Sequence, residues 1–216
     1  MQPFIRNHQY NLIKKQVGLL QHACATVADP RIVESVRSNM QFKLAEAFPD
    51  ANEAALEIVQ RGSELGTAPE FQLYLASLES HRIAFEPGTE QQLKKLYPKI
   101  KKLKLPDLAA LDRKAISYLG WSDIASNKLF IVYPLDGRLV GIEGRFTPTN
   151  KKGTCFVCNR QTEVGLFTAL TKSRPANASP DYYKAIGNYM CADSEVCNHN
   201  ITDPAPLEQF LSNVVK

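Results

Sequence analysis

Thr154-Cys-Phe-Val-Cys-Asn-Arg160 and Met190-Cys-Ala-Asp-Ser-Glu-Val-Cys-Asn198 are the two stretches around which the chain is organised. The first holds a C-x2-C pair, Cys155 and Cys158. The second holds a C-x5-C pair, Cys191 and Cys197, and 32 residues separate the pairs. A zinc ion takes four ligands in tetrahedral array, with sulfur at about 2.3 Å. Two residues between cysteines let a tight turn, a zinc knuckle, aim both sulfurs at one point. The longer spacing suits a strand ending at Cys191 and a turn or first helical turn ending at Cys197. Small and polar neighbours, Gly153, Asn159, Ser194 and Asn198, leave backbone amides free to point at sulfur and disperse its charge.

Two disulfides are the competing reading of four cysteines. Residues 1–10 are polar and aromatic, with no basic stretch followed by an apolar core, so no secretory signal is visible and a reducing, cytoplasmic location is expected. His199 lies two residues beyond Cys197 and could compete as a ligand. Four cysteines already fill the shell, however, and a catalytic zinc needs an open position. The expectation is one structural zinc, without which much of the chain from Lys151 onward stays unfolded.

Outward from the cysteines, the chain divides in two. The first ~85 residues carry helical stripes. Phe4, Tyr10, Ile13, Val17 and Leu20 form one, and Val33, Val36, Met40, Leu44 and Ala47 another. Asp29-Pro30 is a helix start, because an aspartate caps free amides and proline at the first helical position loses no hydrogen bond. Further segments carry Leu56 and Val59, then Phe71, Leu75 and Leu78. These stripes predict a bundle of about four antiparallel helices, the stripes being simply its core. Cys24 reads as a buried free thiol, and His8, His22 and His81 have no ligand spacing. Glu86-Pro87-Gly88 is the best internal boundary, so the domains are expected at residues 1–86 and 87–216, with the finger over about 150–216.

Thr89 with Gln92 reads as a capping box. Residues 107–117 can support another helix. Residues 129–133 are a β-prone strand, and Val140, Ile142 and Phe146 share one phase of a second over 138–146. Four residues, 134–137, join them as a hairpin somewhat longer than the tightest kind. Residues 164–168 are a plausible strand over the metal site. Residues 172–181, rich in Pro, Ala, Ser and Asn, read as a mobile loop that tolerates insertion. Asp203-Pro204 starts a last helix with Leu207, Phe210, Leu211 and Val214 on one face. The fold class is therefore α+β: a helical bundle, then a mixed domain with antiparallel strands and a four-cysteine finger.

Charge discriminates little. The formal net charge is +4 over 216 residues. Residues 1–89 carry −2, residues 90–150 carry +5 and residues 151–216 carry +1, while four zinc-bound thiolates would bring the total to +2. That balance does not argue nucleic-acid binding by itself. The lysines at 94, 95, 99, 101, 102 and 104 read first as a solvated face, with an acidic partner or a phosphate backbone as the alternatives. No apolar run approaches the ~20 residues of a membrane span. No Walker loop, strand-linked G-x-G-x-x-G, H-E-x-x-H or Gly-framed serine is present. Gly137, Gly141 and Gly144 thread a hairpin rather than precede a helix. No enzyme is expected.

With the cysteines in place, other segments become recognisable. Phe4-Ile-Arg-Asn-His-Gln-Tyr-Asn11, Lys101-Lys-Leu-Lys-Leu-Pro106, Leu119-Gly-Trp-Ser-Asp-Ile-Ala-Ser-Asn-Lys128, Lys152-Gly-Thr-Cys-Phe-Val-Cys158 and Tyr189 through His199 together resemble the elongation factor G-binding proteins, the fusidic acid resistance family of FusB and FusC type. The resemblance covers nearly the whole chain. It implies a non-enzymatic protein that binds elongation factor G near its C-terminal domains and promotes its release from the ribosome, protecting translation from fusidic acid. It also implies Cys155, Cys158, Cys191 and Cys197 as zinc ligands. Phe156, Lys184 and Tyr189 correspond to the family's factor-contacting positions, with Phe210 the nearest candidate on the last helix. The loop before Tyr189 departs from the resistance proteins in length. A nucleic-acid- or ribosome-binding zinc-finger protein is the alternative reading.

Overall fold

The apolar stripes of the first third become helices: α1 (Asn7–Thr26), α2 (Pro30–Ala47), α3 (Glu53–Gln60) and α4 (Ala68–Ser77). The structure is a computed structural model that describes residues 2–172, 177, 179 and 182–215. The expected loop at 172–181 lies largely outside the described residues. Chain contacts separate two units, Met1–Ile83 and Ala84–Lys216.

In the first unit, Asp29 caps α2 by accepting from the Arg31 amide at 2.9 Å, with Pro30 at the first helical position. Gln9 at the start of α1 donates to the Ala47 carbonyl at the end of α2 (2.7 Å), which pins the two helices antiparallel. Tyr10, Ile13, Val17 and Leu20 meet Met40, Leu44, Val59, Phe71, Tyr74 and Leu78 in one core. Tyr74 buries its ring there and donates to the Val59 carbonyl (2.5 Å). The unit closes on itself where Ile83 N–H donates to the Ile5 carbonyl (2.8 Å).

The second unit is one antiparallel sheet between helices, giving the α+β class expected from the sequence. Its strands β1 (Leu119–Asp123), β2 (Lys128–Leu135), β3 (Arg138–Thr154), β4 (Gln161–Leu170) and β5 (Ala185–Cys191) lie side by side in chain order. The β2–β3 turn is the tightest kind after all: only Asp136 and Gly137 lie outside the strands, at φ 51° and 74°. Both central residues with positive φ match the right-handed strand twist. Pro134 is part of β2 because β1 stops pairing at Val132, so the missing N–H forfeits no ladder bond.

The two sheet faces differ. Leu129, Ile131, Tyr133, Ile142 and Phe167 pack with Leu207, Leu211 and Val214 of α7 (Ala205–Val215). Phe130 and Val132 pack on the opposite face with Leu93 and Tyr97, at and just beyond α5 (Glu90–Leu96). A Cβ at Gly141 would meet Leu96 and Tyr97 at 2.8 and 2.9 Å, so glycine lets this segment lie directly on β3. Tyr97 donates to the Ile131 carbonyl at 2.9 Å. Thr89 and Gln92 form the expected capping box on α5.

Residues 107–117 do not form a helix. Asp107 accepts from the Ala109 amide (2.9 Å) and Asp112 from the Lys114 amide (3.1 Å), local turns that compete with helical bonding. Residues 103–117 instead run as a strap, with Leu103, Leu105, Leu108, Leu111 and Ile116 packed onto the α5 side of the sheet. Trp121 stacks on Phe130 (5.1 Å) and donates to the Lys104 carbonyl (3.0 Å), holding the strap down.

Candidate metal centre

Strand β3 bends on its way to the site. Its pairing with β4 jumps between Pro148 and Lys151, where Asn150 takes φ 53° and Thr149 donates to the Val164 carbonyl at 2.6 Å. Extra residues of this kind kink a strand and re-aim the chain beyond them. Here the re-aimed chain is the knuckle. Cys155 N–H donates to the Arg160 carbonyl (3.0 Å) and Asn159 N–H to the Cys155 carbonyl (2.9 Å). Asn159 sits at φ 53°, a left-handed position that asparagine tolerates better than most residues. Cys155 and Cys158 therefore leave one tight turn, as their spacing predicts.

The second pair arrives from two other elements. Cys191 is the last residue of β5, and Cys197 is the fourth residue of α6 (Ser194–Asn200). Asp193 caps that helix by accepting from the Glu195 amide at 2.7 Å. All four sulfurs are buried and lie within 4.8 Å of one another. Cys155 and Cys197 sulfurs are 3.8 Å apart, and those of Cys158 and Cys191 are 3.5 Å apart. Tetrahedral zinc with sulfur at about 2.3 Å spaces its ligands by about 3.8 Å, whereas a disulfide bond is about 2.0 Å. All four thiols are free.

The surroundings fit a cation too. Hydrogen bonds from Cys158, and then from Cys191 and Cys197, hold the Cys155 thiol far below its ordinary value. The hydrogen bond with Cys155 pushes Cys197 far above it. Four sulfurs this close cannot all be anionic without a positive ion between them. The Cys191 amide donates to the Cys155 sulfur at 3.3 Å, a donor of the kind that stabilises bound thiolate. Tyr118 is fully buried, and its hydroxyl finds no nitrogen or oxygen partner. Burial, and after it the Cys197 sulfur, push the Tyr118 hydroxyl well above the usual tyrosine range. A metal-bound thiolate at Cys197 supplies the acceptor this hydroxyl lacks. The residues present fit one structural zinc.

Two residues beside the cysteines take roles that their sequence positions do not predict. Asn198 holds the site to the sheet with its side chain: Oδ1 accepts from the Ser117 amide (2.7 Å) and the Tyr118 amide (3.2 Å), and Nδ2 donates to the Tyr118 and Ser194 carbonyls (both 3.0 Å). Ser194 Oγ donates to the Gly120 carbonyl at 2.8 Å. His199 stays outside the cluster, exposed, with Nδ1 against the Glu195 carbonyl (2.8 Å).

The other candidate residues spread outward from the centre. Phe156 is half-buried on the knuckle, its amide donating to the Tyr189 carbonyl (2.8 Å) and its ring 5.2 Å from that of Phe210. Tyr189 is 49% exposed. Lys184, exposed just before β5, accepts through its carbonyl from the Thr171 amide at 2.8 Å. Phe210 is buried, 7% exposed, between Phe156 and Phe167 in the core under α7.

Comparison with known proteins agrees with this arrangement. Residues 4–86 match the family described as elongation factor G-binding protein, N-terminal. Residues 97–212 match the FBP C-terminal treble-clef zinc-finger. The whole chain is similar to the solved structure of the fusidic acid resistance protein FusC, with a TM-score of 0.79 and 30% sequence identity, covering 98% of this chain and 97% of that one. No curated protein sequence matches.

Proposed function

Since the chain belongs to the elongation factor G-binding protein family, we propose that it binds elongation factor G through the finger end of its second unit and promotes release of the factor from the ribosome, sparing translation from fusidic acid. The reading is non-enzymatic: the site offers shape and rigidity, with zinc as the staple. The observation that carries it is the convergence of four buried sulfurs, within 4.8 Å, from the knuckle, the end of β5 and α6. One ion there would lock three elements at once, and Phe156 and Tyr189 ride on two of them. An aromatic presented on a rigid turn loses little freedom on binding, which favours a hot spot.

Lys184 supplies a charge at the other end of β5. Phe210 contributes from beneath, by supporting the Phe156 ring.

Calorimetric titration of the zinc-loaded protein with purified elongation factor G tests the reading. Tyr189→Ala, at an exposed position, is expected to weaken binding by about 2 kcal/mol while leaving zinc content unchanged. Phe156→Ala should cost a similar amount. Chelation of the metal should abolish the heat signal. Full affinity in a metal-free sample would refute the proposal.

A further inference from the structure

On the α5 side of the sheet a groove of about 700 Å³ opens between the end of α5 and the chain beyond β4. Its floor is β3 and β4 and it is a separate feature from the cysteine centre. Besides Lys128, three cations line it: Lys99, Arg145 and Lys172. All three are exposed, and none has an ion-pair or hydrogen-bond partner for its side chain among the described residues. Glu143 is the one acidic lining residue among those described, and Lys128 pairs with it at 3.3 Å. Among the described residues the groove is thus positive where it is free. Tyr182 and Tyr183, 39% and 74% exposed, form its far wall, and Leu170, 61% exposed, lies beside them.

Cations without partners beside exposed aromatic faces are what an unpaired nucleotide needs: charge for the phosphate and a ring to stack the base on. The volume lies within the ~300–1,000 Å³ of small-ligand sites. The positive track also continues past the groove. Lys101, Lys102 and Lys104 are exposed and follow Lys99 within five residues, at most about 18 Å of extended chain. That reach is what a polynucleotide backbone uses and a single nucleotide does not. We propose that this groove and the adjoining lysines bind a single-stranded polynucleotide, with Arg145 and Lys99 on phosphates and Tyr183 stacking a base. The inference is independent of factor binding.

Fluorescence anisotropy of the zinc-loaded full chain with labelled twelve-nucleotide oligouridylate and oligothymidylate tests it, with no elongation factor present. Six phosphate contacts, from Lys99, Arg145, Lys172 and the adjoining Lys101, Lys102 and Lys104, predict roughly a 300-fold loss of affinity between about 50 and 200 mM salt, falling to about 130-fold in Arg145→Ala. Tyr183→Ala should weaken binding about tenfold, and Tyr183→Phe, which keeps the ring, should not. Preference for the uridylate identifies RNA as the source, and equal binding identifies any single strand. Absence of binding at low salt would overturn the proposal. So would affinity unmoved by both Arg145→Ala and Tyr183→Ala, uridine monophosphate competing as strongly as the oligomer, or an oligoglutamate peptide displacing it. The last result would mark the groove as a dock for acidic protein instead.

Discussion

A buried hydroxyl with no partner costs roughly 1–3 kcal/mol, and Tyr118 carries one against Cys197. That cost is relieved when the sulfur becomes a metal thiolate, since the O–H then donates to a charged acceptor. Tyr118→Phe separates the two states. It should leave the fold and the cysteine cluster intact but weaken zinc binding about tenfold, the lower end for an outer ligand-supporting group. Competition against a colorimetric chelator measures this directly, and equal affinity in the two proteins would remove the role. Neither Tyr118 nor Asn198 is legible from sequence as half of a pair. The sequence marks Asn198 as a neighbour with a free amide, whereas its side chain grips residues 117 and 118, about 80 positions away. The cysteines are legible because local spacing alone encodes a knuckle; the hydroxyl beside them comes from another part of the chain and leaves no local pattern.

Among the elements, helix α4 shows how a start signal becomes pH-dependent. Glu70 reaches back to accept from the Thr67 hydroxyl at 2.7 Å and from the Thr67 and Gly66 amides at 2.9 and 3.2 Å. The Thr67 hydroxyl, and then those amides, hold the Glu70 carboxyl below its ordinary value. A carboxyl lowered on folding stabilises the helix start above its unfolded value and loses that contribution as pH falls through the folded one. Hydrogen exchange corrected for intrinsic rates should therefore show the first turn of α4 opening only as pH falls below about 4.3, the ordinary glutamate value. Glu70→Gln should show weaker protection at neutral pH and little further change on acidification. A pH-insensitive wild type would contradict this. Elements are legible where capping and apolar period agree, as at Asp29-Pro30 and Thr89 with Gln92. Residues 107–117 mislead because leucines spaced by three suggest a helix whether they cover a core as a helix or as a strap. Asp107 and Asp112 decide for the strap by closing turns on nearby amides.

At the scale of the molecule, the two units draw on different sources of stability. Met1–Ile83 has an apolar core built from helical stripes, which the sequence displays as local periods. In Ala84–Lys216 the four cysteines are themselves core residues, in the same cluster as Tyr118, Phe167, Phe210 and Leu211. Its strand order cannot be read from the chain alone, because pairing across β3, β4 and β5 depends on register and on the bend at Pro148 rather than on composition. Metal and fold should therefore be coupled in one unit and uncoupled in the other. Chelation should remove the protection of amides in β4, β5 and α6 and raise the exposure of Tyr118, while α1 and α2 keep their hydrogen-exchange protection and helical circular dichroism. Cys158→Ala should reproduce this without chelator, since three sulfurs leave the tetrahedral shell incomplete. The reverse experiment separates core from staple: Leu44→Ala, which opens a cavity at a fully buried position of α2, should cost roughly 2–5 kcal/mol in the first unit and leave zinc stoichiometry unchanged. If chelation melted both units in one transition, or left β4 and β5 protected, the metal would not be the element that holds the second unit together.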